Sequence, residues 1–414
     1  MNVSKGVPIV AIGASSGGLG AMMELIRNIN PDTGMGFLYL QYPGGEQTDE
    51  IIARLQEVAT MKVEQARDQL QILPNSIYVI PGEQEIQITD GMLSLIRPTT
   101  RKNDRLPIDR FFTVLARTWK AGIIGILLSG EELDGAGGLK AIKIAGGITF
   151  AQDETAAFDE MPKSAMTAGV VDLVLSPVQI GRELNKMAGQ VDAFAEMQIG
   201  SNVVSDTDEH LLSIIQLLRR ATGIDFTHYK ISTIKRRIIR RMLLYKLHDL
   251  KGYYEYLKRH ANEITVLYHD LLINVTCFFR DGDSMEYLRK SVLPQILKGK
   301  SSDEQVRIWV PACSTGEEAY SLAILITELQ EESGTKIPIQ IFGTDLSEIA
   351  ISKARSGVYS PADLTDIADT RISKFFVRTE NNNFRVHKRI RDLCIFAQHN
   401  VFKDPPFSRL DLVS

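Results

Sequence analysis

The chain has 414 residues, 44% hydrophobic, 24% charged and 7% aromatic, a mix that excludes collagen-like, coiled-coil and disordered proteins and suggests two or three globular domains of about 150 residues each. Its net charge of −4 is unevenly spread, with 17 basic and 24 acidic side chains in residues 1–200 against 30 and 27 in residues 201–414. The longest apolar run, Ala121–Leu128, falls far short of the roughly 20 residues that cross a bilayer.

The predicted elements begin with VPIVAI at 7–12, a short β-rich run followed by Gly13-Ala14-Ser15-Ser16-Gly17-Gly18 and a helical pattern through Met22, Met23, Leu25 and Ile26. Strand signals at 37–40, 77–80, 123–128 and 148–151 alternate with helical ones at 51–58, 111–118 and 139–145, and 86–88 with 93–96 reads as a hairpin. Such alternation predicts an α/β domain with a largely parallel sheet. A weakly periodic stretch at 189–207 reads as a linker, and 208–300 shows helical spacing almost throughout. The α/β pattern returns at Val306, with a hairpin inserted where Lys374–Val377 and Phe384–Val386 flank Glu380–Asn383.

The N-terminus carries no charged leader before a long apolar stretch, so export is not expected. Cys277, Cys313 and Cys394 are too dispersed for a disulfide framework or a zinc site, and a cytoplasmic location is expected. All seven histidines lie at or after His210, so the first half cannot supply an imidazole to a site of its own.

Gly13-Ala14-Ser15-Ser16-Gly17 fits G-x-S-x-G between strand and helix, a turn that presents a serine hydroxyl beside backbone N–H groups able to hold an oxyanion. The motif alone leaves open a nucleophilic Ser15 and a glycine-rich turn with no chemistry beyond anion binding. Asp134, within Ser129–Gly138, could orient a histidine or cap a helix. IGASSGG at 12–18, LPIDRFF at 106–112, LDGAGGLKAIKIAGG at 133–147 and AQDETAAFDEMPKSA at 151–165, in that order, resemble the catalytic domain of the chemotaxis receptor methylesterase (CheB-type) family over roughly residues 7–188. The resemblance implies hydrolysis of receptor glutamate methyl esters by a Ser–His–Asp triad, with Ser15 and Asp134 at two of its positions. Tyr42 stands at the histidine position, and Glu132 replaces a family glycine two residues before the aspartate. A phenol ionises only near pH 10 and is a poor base at neutrality. Loss of the base costs on the order of 10⁶ in turnover, so the esterase-like domain is expected to be inactive or strongly impaired.

Lys235–Arg241 lies on a helix whose apolar residues Ile231, Ile234, Ile238 and Met242 share one face. The arginines at i,i+4 spacing repel one another, so the run reads as a surface for an acidic partner or as a solvated face. Nucleic acid is not expected, because the half is only mildly basic and has no interleaved aromatic platform. Val306–Glu318 reads as a strand, a small-residue turn and a helix start, and Asp345 ends the next strand about 30 residues beyond the turn, where an acid can bind ribose hydroxyls. Without G-x-G-x-x-G, S-adenosyl-L-methionine fits better than a dinucleotide.

TGIDFTHYK at 222–230, DLLINVTCFFRD at 270–281, ACSTGEEAYS at 312–321, KARSGVY at 353–359 and FAQHNVFKDPPF at 396–407 resemble the chemotaxis receptor-glutamate methyltransferase (CheR-type) family over about 208–414. The resemblance implies methyl transfer from S-adenosylmethionine to glutamates on cytoplasmic helices of methyl-accepting chemoreceptors, with the basic helix facing those acidic helices. By motif position, Asn274, Thr276 and Arg280 surround the methionine end of the cofactor and Glu318 (or Glu317) takes its amino group. Asp345 then binds the ribose, and Asn400 and Val401 the adenine. The hairpin matches a receptor-docking subdomain of some members.

The expected architecture is α/β: a parallel-sheet esterase-like domain (1–188), a linker (189–207), a small all-helical recognition domain (208–300), and a Rossmann-like class I methyltransferase domain (301–414) with an inserted hairpin. The sequence stops at Leu410–Ser414 in what reads as a fourth strand. The family continues there with Cys-Arg-Asn, so a natural chain extending past Ser414, and weak methyl transfer without that extension, are expected. The alternative is a non-catalytic signalling scaffold or the front part of a longer sensory protein.

Overall fold

The computed structural model describes residues 7–42, 47–82, 84–89, 91–97, 106–119, 122–131, 133–188, 208–247, 249–272, 276–301, 304–364, 367–379 and 383–414; the expected linker lies outside them. The chain divides into two compact units, the second running from Leu272 to Ser414.

Among the described residues the first unit opens with ten strands: β1 (Ile9–Ala14), β2 (Gly36–Gln41), β3 (Lys62–Gln65), β4 (Leu70–Gln71), β5 (Ser76–Ile80), β6 (Glu85–Thr89), β7 (Met92–Ile96), β8 (Ile123–Leu127), β9 (Ile148–Gln152) and β10 (Leu173–Leu175). Seven make an all-parallel sheet in the order β10-β9-β8-β1-β2-β5-β3. The expected hairpin is β6–β7, in a separate antiparallel sheet with β4. The central strands are buried along their whole length, which is why they read as unbroken apolar runs.

Helices α1 (Gly18–Arg27), α2 (Thr48–Gln56), α3 (Pro107–Trp119), α4 (Ala136–Ala145), α5 (Glu160–Thr167) and α6 (Pro177–Ala188) cover the sheet. Alternate residues of β1 supply opposite cores. Val10 and Ile12 pack with Met22 and Leu25 of α1 and Leu184 of α6, whereas Ile9 and Ala11 share a core with Phe112 of α3 and Ile142 of α4. The chain leaves β1 towards β2 on one side and returns through β8 on the other. That reversal opens a crevice at the carboxyl ends of β1 and β8.

Helices α7 (Glu209–Thr222), α8 (Ile231–Leu244), α9 (Leu250–Arg259) and α10 (Ala261–Leu271) complete this unit around Leu211, Ile214, Ile234, Ile238, Tyr253 and Leu267. Asp208 caps α7 through the N–H groups of His210 and Leu211 (2.8 and 3.2 Å). The basic run on α8 is neither solvated nor open to an outside partner over most of its length, because Arg237, Arg240 and Arg241 are buried. Arg241 pairs with Glu263 (Nε to Oε1, 2.7 Å), and Arg240 is bound by Asp270 (2.6 Å) and by Asp172 of the α/β portion. The acidic partner this charge implies comes from the chain itself.

The second unit begins with α11 (Gly282–Tyr287) and α12 (Leu293–Lys298), joined by a π-helical turn. It continues through β11 (Val306–Pro311), α13 (Glu317–Ser333), β12 (Ile339–Asp345), α14 (Glu348–Ser356), β13 (Val358–Tyr359), α15 (Asp369–Phe375), β14 (Phe376–Arg378), β15 (Phe384–Val386), α16 (Lys388–Arg391), β16 (Cys394–Gln398) and β17 (Leu412–Val413). The main sheet is parallel in the order β16-β12-β11-β17, the 3-2-1-4 half of a doubly wound fold. The inserted hairpin is β14–β15, extended by β13. Arg371 of α15 ties this insert to α13 through a two-pronged bond to Glu328 (2.9 and 2.8 Å).

The expected helical domain at 208–300 is corrected by packing. Met285 of α11 and Leu293 of α12 share the core of Val306, Ile308 and Leu322, so the units divide at Leu271/Leu272. Helical periodicity marks which face of a segment is apolar, but not which core receives it. Among the described residues, no helix is long and apolar enough to cross a membrane.

Burial would raise the carboxyl pKa of Asp172, but Arg240 and Lys143 outweigh it and hold the group below its ordinary value. A depressed carboxyl contributes stability above its unfolded pKa and loses it as pH falls through the folded one. The stability of the first unit to urea should therefore fall from pH 5 towards pH 3. Asp172→Asn should flatten that slope and lower stability at pH 7 by about 3–5 kcal/mol, the usual cost of breaking a buried pair.

Candidate active sites

The crevice at β1 and β8 holds the serine turn. Ser15 follows β1, and its N–H donates to the Ser129 carbonyl (2.9 Å) just beyond β8. Gly17, the N-cap of α1, has φ of 74°, and a Cβ there would lie 2.9 Å from both Ala157 Cβ and Ser129 Oγ. Only glycine fits this handover, because it needs both the left-handed backbone and the space. The Ser129 hydroxyl donates to the Ser16 carbonyl (2.8 Å) and accepts from the Phe158 N–H (3.0 Å), so the loops after β1, β8 and β9 close on one another.

That closure seals Ser15. Its side chain is 1% exposed, and its Oγ has no hydrogen-bond partner among the described residues. Gly130 is packed so closely that a Cβ would meet Ser15 Cβ at 2.7 Å and Met161 Sδ at 2.0 Å. Tyr42 follows β2, is half-buried, and donates its N–H to the Ala14 carbonyl (2.9 Å), so the position that lacks a histidine does lie beside the serine turn. Asp134 accepts from the N–H groups of Ile108 (2.8 Å) and Asp109 (2.9 Å) at the start of α3, and from that of Gly135 (2.8 Å). It is a helix cap, although for α3 rather than for the helix that follows it. Glu132 lies outside the described residues. Sequence reasoning passed over Ser16, whose hydroxyl donates to Glu131 (2.8 Å) at the rim.

In the second unit the loop from β11 to α13 has φ of 54° at Ala312, 51° at Ser314 and 96° at Gly316. Left-handed backbone at these positions turns the chain sharply from β11 into α13. The loop is anchored beneath: the Cys313 N–H donates to the Thr344 carbonyl (2.9 Å), the Tyr359 hydroxyl to the Thr315 carbonyl (2.7 Å), and Thr315 Oγ1 to Glu317 (2.6 and 2.7 Å). Asp345 ends β12 beside it. Its carboxylate accepts from the N–H groups of Ser314 (2.9 Å) and Ser347 (2.8 Å), a fixed acceptor at the mouth of the parallel sheet. Ser314 Oγ is buried with no partner among the described residues.

Several other expected residues converge on this mouth. The His399 N–H donates to the Asp345 carbonyl (3.0 Å), which brings Asn400 and Val401 alongside. Asn400 Oδ1 accepts from the Phe402 N–H (3.0 Å), making a local turn, and Val401 is half exposed. The two glutamates separate: Glu317 is buried under Thr315, and Glu318 is the accessible one, accepting from the Ser414 hydroxyl. The Phe279 N–H donates to Ser321 Oγ (2.9 Å), which fastens the segment carrying half-buried Thr276 and exposed Arg280 over the first turns of α13. Arg280 lies 3.9 Å from Asp281, and Asn274 lies outside the described residues. Ser321 and Tyr359 were not singled out from the sequence, since only the folded chain brings them under the loop.

A parallel sheet in this order, with a glycine-capped helix after its first strand and an acid ending its second, defines a nucleoside-cofactor-binding α/β domain. The orphan hydroxyl of Ser314 and the fixed carboxylate of Asp345 fit a polar nucleoside. Residues 274–414 match the S-adenosylmethionine-binding domain of CheR methyltransferase, 209–272 its all-alpha domain, and 10–184 the CheB methylesterase family. The chain thus matches, in order, the methylesterase family and the two domains of the chemotaxis methyltransferase family, and the match to the S-adenosylmethionine-binding domain indicates that cofactor. An uncharacterized 104.1 kDa protein of Rhodobacter capsulatus is 32% identical over 88% of this chain, which spans only 40% of that relative's length. A chemotaxis protein methyltransferase of Listeria innocua is 27% identical over 51% of this chain and 78% of its own. A protein-glutamate methylesterase/protein-glutamine glutaminase of Burkholderia orbicola is 33% identical over 44% of this chain and 55% of its own.

A Cβ at Gly316 would lie 2.9 Å from Ala354 Cβ and 3.2 Å from Phe396 on a left-handed backbone. Gly334, at φ of 67°, has no atom within 4 Å of such a Cβ. Calorimetry should show Gly316→Ala destabilising the second unit by about 2–4 kcal/mol, against about 1 kcal/mol for Gly334→Ala, where only backbone strain acts.

Proposed function

We propose that this chain transfers methyl groups to glutamate side chains on the cytoplasmic helices of methyl-accepting chemoreceptors, and that its esterase-like domain does not hydrolyse methyl esters at an enzymatic rate. The observation that carries the first part is the left-handed turn at Ala312–Gly316, bonded to Asp345 through the Ser314 N–H, with a buried Ser314 hydroxyl that has no partner among the described residues. On this reading Asp345 binds the ribose, Glu318 the amino group, Asn274, Thr276 and Arg280 the methionine end, and Asn400 and Val401 the adenine. S-adenosylmethionine supplies a methyl group on a sulfonium, a good leaving group. The acceptor carboxylate is already nucleophilic, so the protein's residues must align and desolvate it, and no general base is required. Arg280, exposed beside the first turn of α13, is the cation suited to draw that carboxylate in.

The second part is supported by a sealed Ser15, by Tyr42 where a base is needed, and by Asp134 occupied as a cap. Those observations favour a scaffold role for the esterase-like domain within a cytoplasmic receptor-modifying protein.

Calorimetric titration should show Asp345→Ala weakening S-adenosylmethionine binding at least tenfold with the fold retained. Labelled methyl transfer to receptor-bearing membranes should fall to background in the same variant. Equal labelling by wild type and Asp345→Ala would instead favour a non-catalytic scaffold. For the esterase-like domain, wild type should hydrolyse methyl esters at background rate. Serine-dependent turnover close to that of a Tyr42→His variant would overturn the impairment.

A further inference from the structure

We infer that one side of α8 is a built-in interface occupied by the esterase-like domain, so that Arg237 and Arg240 are not available to read acceptor glutamates. The first clause stands on the structure alone; the second rests on the receptor-methylating reading above.

Helix α8 is two-sided. Ile234, Ile238 and Met242 enter the helical core, while Leu243, with Ile239 and Leu244, joins the core beneath β1 and α1. On that second side Arg237 donates to the carbonyls of Lys143 (2.7 Å) and Ile144 (2.5 Å), and Arg240 Nε donates to the carbonyl of Gly147 (2.8 Å). These acceptors lie in or just past the last turn of α4. Helix ends leave carbonyls short of intrahelical donors and carry the negative end of the helix dipole, so cations dock there favourably. Arg240, with no exposed side-chain surface, also bridges Asp172 and Asp270. A guanidinium suits this task because its planar fork reaches several acceptors at once. At the rim Lys246 pairs with Glu183 of α6 (3.1 Å). Arg241 is committed separately, to Glu263, whose oxygens also accept from the hydroxyls of Tyr245 (2.7 Å) and Tyr253 (2.8 Å).

An acidic helix arriving from solvent would have to strip Arg240 of two carboxylates and a carbonyl. It could offer in exchange only an exposed pair, weakened by water and salt. The contact is therefore constitutive, and the esterase-like domain acts as the structural partner of the helical domain. An acidic acceptor must be recognised elsewhere.

The test uses the full chain and two readouts. Phenylglyoxal footprinting should modify exposed Arg219 at least tenfold faster than Arg237 and Arg240, and a synthetic helical peptide bearing glutamates on one face should leave that ratio unchanged. Hydrogen exchange of Asp172→Asn should rise together in 231–244 and 142–147, with 306–345 unaffected. Modification of Arg237 and Arg240 at the rate of Arg219, or a change in their reactivity on adding the peptide, would overturn the inference. So would exchange that rises around residue 172 alone. A peptide that binds nowhere counts against the receptor reading only, because arginine protection and the exchange pattern need no ligand.

Discussion

Both units depend on one constraint: where the first parallel strand hands over to its helix, the backbone turns more tightly than a side chain permits. Gly17 and Gly316 meet it in the same way, as N-caps with positive φ packed against a neighbouring element. The result in each case is a helix N-terminus aimed into the crevice where the sheet changes direction. The crevices then diverge. In the first unit the loops after β8 and β9 fold over the turn and bury Ser15. In the second Asp345 is held beside the loop by two backbone N–H groups. The same geometric solution thus serves a turn with a buried serine in one unit and a turn bonded to a strand-end carboxylate in the other.

The arginines of α8 illustrate the cost of burying charge. A guanidinium removed from water must recover several hydrogen bonds or its burial is strongly unfavourable. Arg240 recovers them from two carboxylates and a carbonyl. Arg237 donates to two backbone carbonyls, and burial together with the Arg240 charge pushes its pKa down to about 10. Such interfaces constrain which surfaces can meet more than they add stability, because each donor must find its own acceptor. A domain whose serine turn is sealed can therefore still be held by its neighbours through such contacts.

Much of the fold was legible in the chain. Fully buried parallel strands read as apolar runs, the β6–β7 and β14–β15 hairpins announced themselves through alternation and turn residues, and the small-residue turn at 312–316 and Asp345 were recognisable as one site before their contact was visible. The misplaced domain limit and the misread helix share a physical cause. Periodicity tells which face of a helix is apolar, but α11 and α12 could have served either core, and α8 carries two buried faces where amphipathic logic anticipates one.

What the sequence determined by itself is local: the order of strands and helices, the glycines demanded by tight turns, the residue types at each crevice, and the missing histidine before residue 210. These follow from the chemistry of individual residues and short-range backbone sterics. The tertiary structure alone decided that Asp134 caps α3, that Glu317 is internal while Glu318 is partly exposed, that Ser15 is sealed, and that Asp172, Asp270 and Glu263 of the same chain pair with the arginines of α8. Those outcomes depend on contacts between residues up to about a hundred positions apart, which only the packing of whole elements brings together.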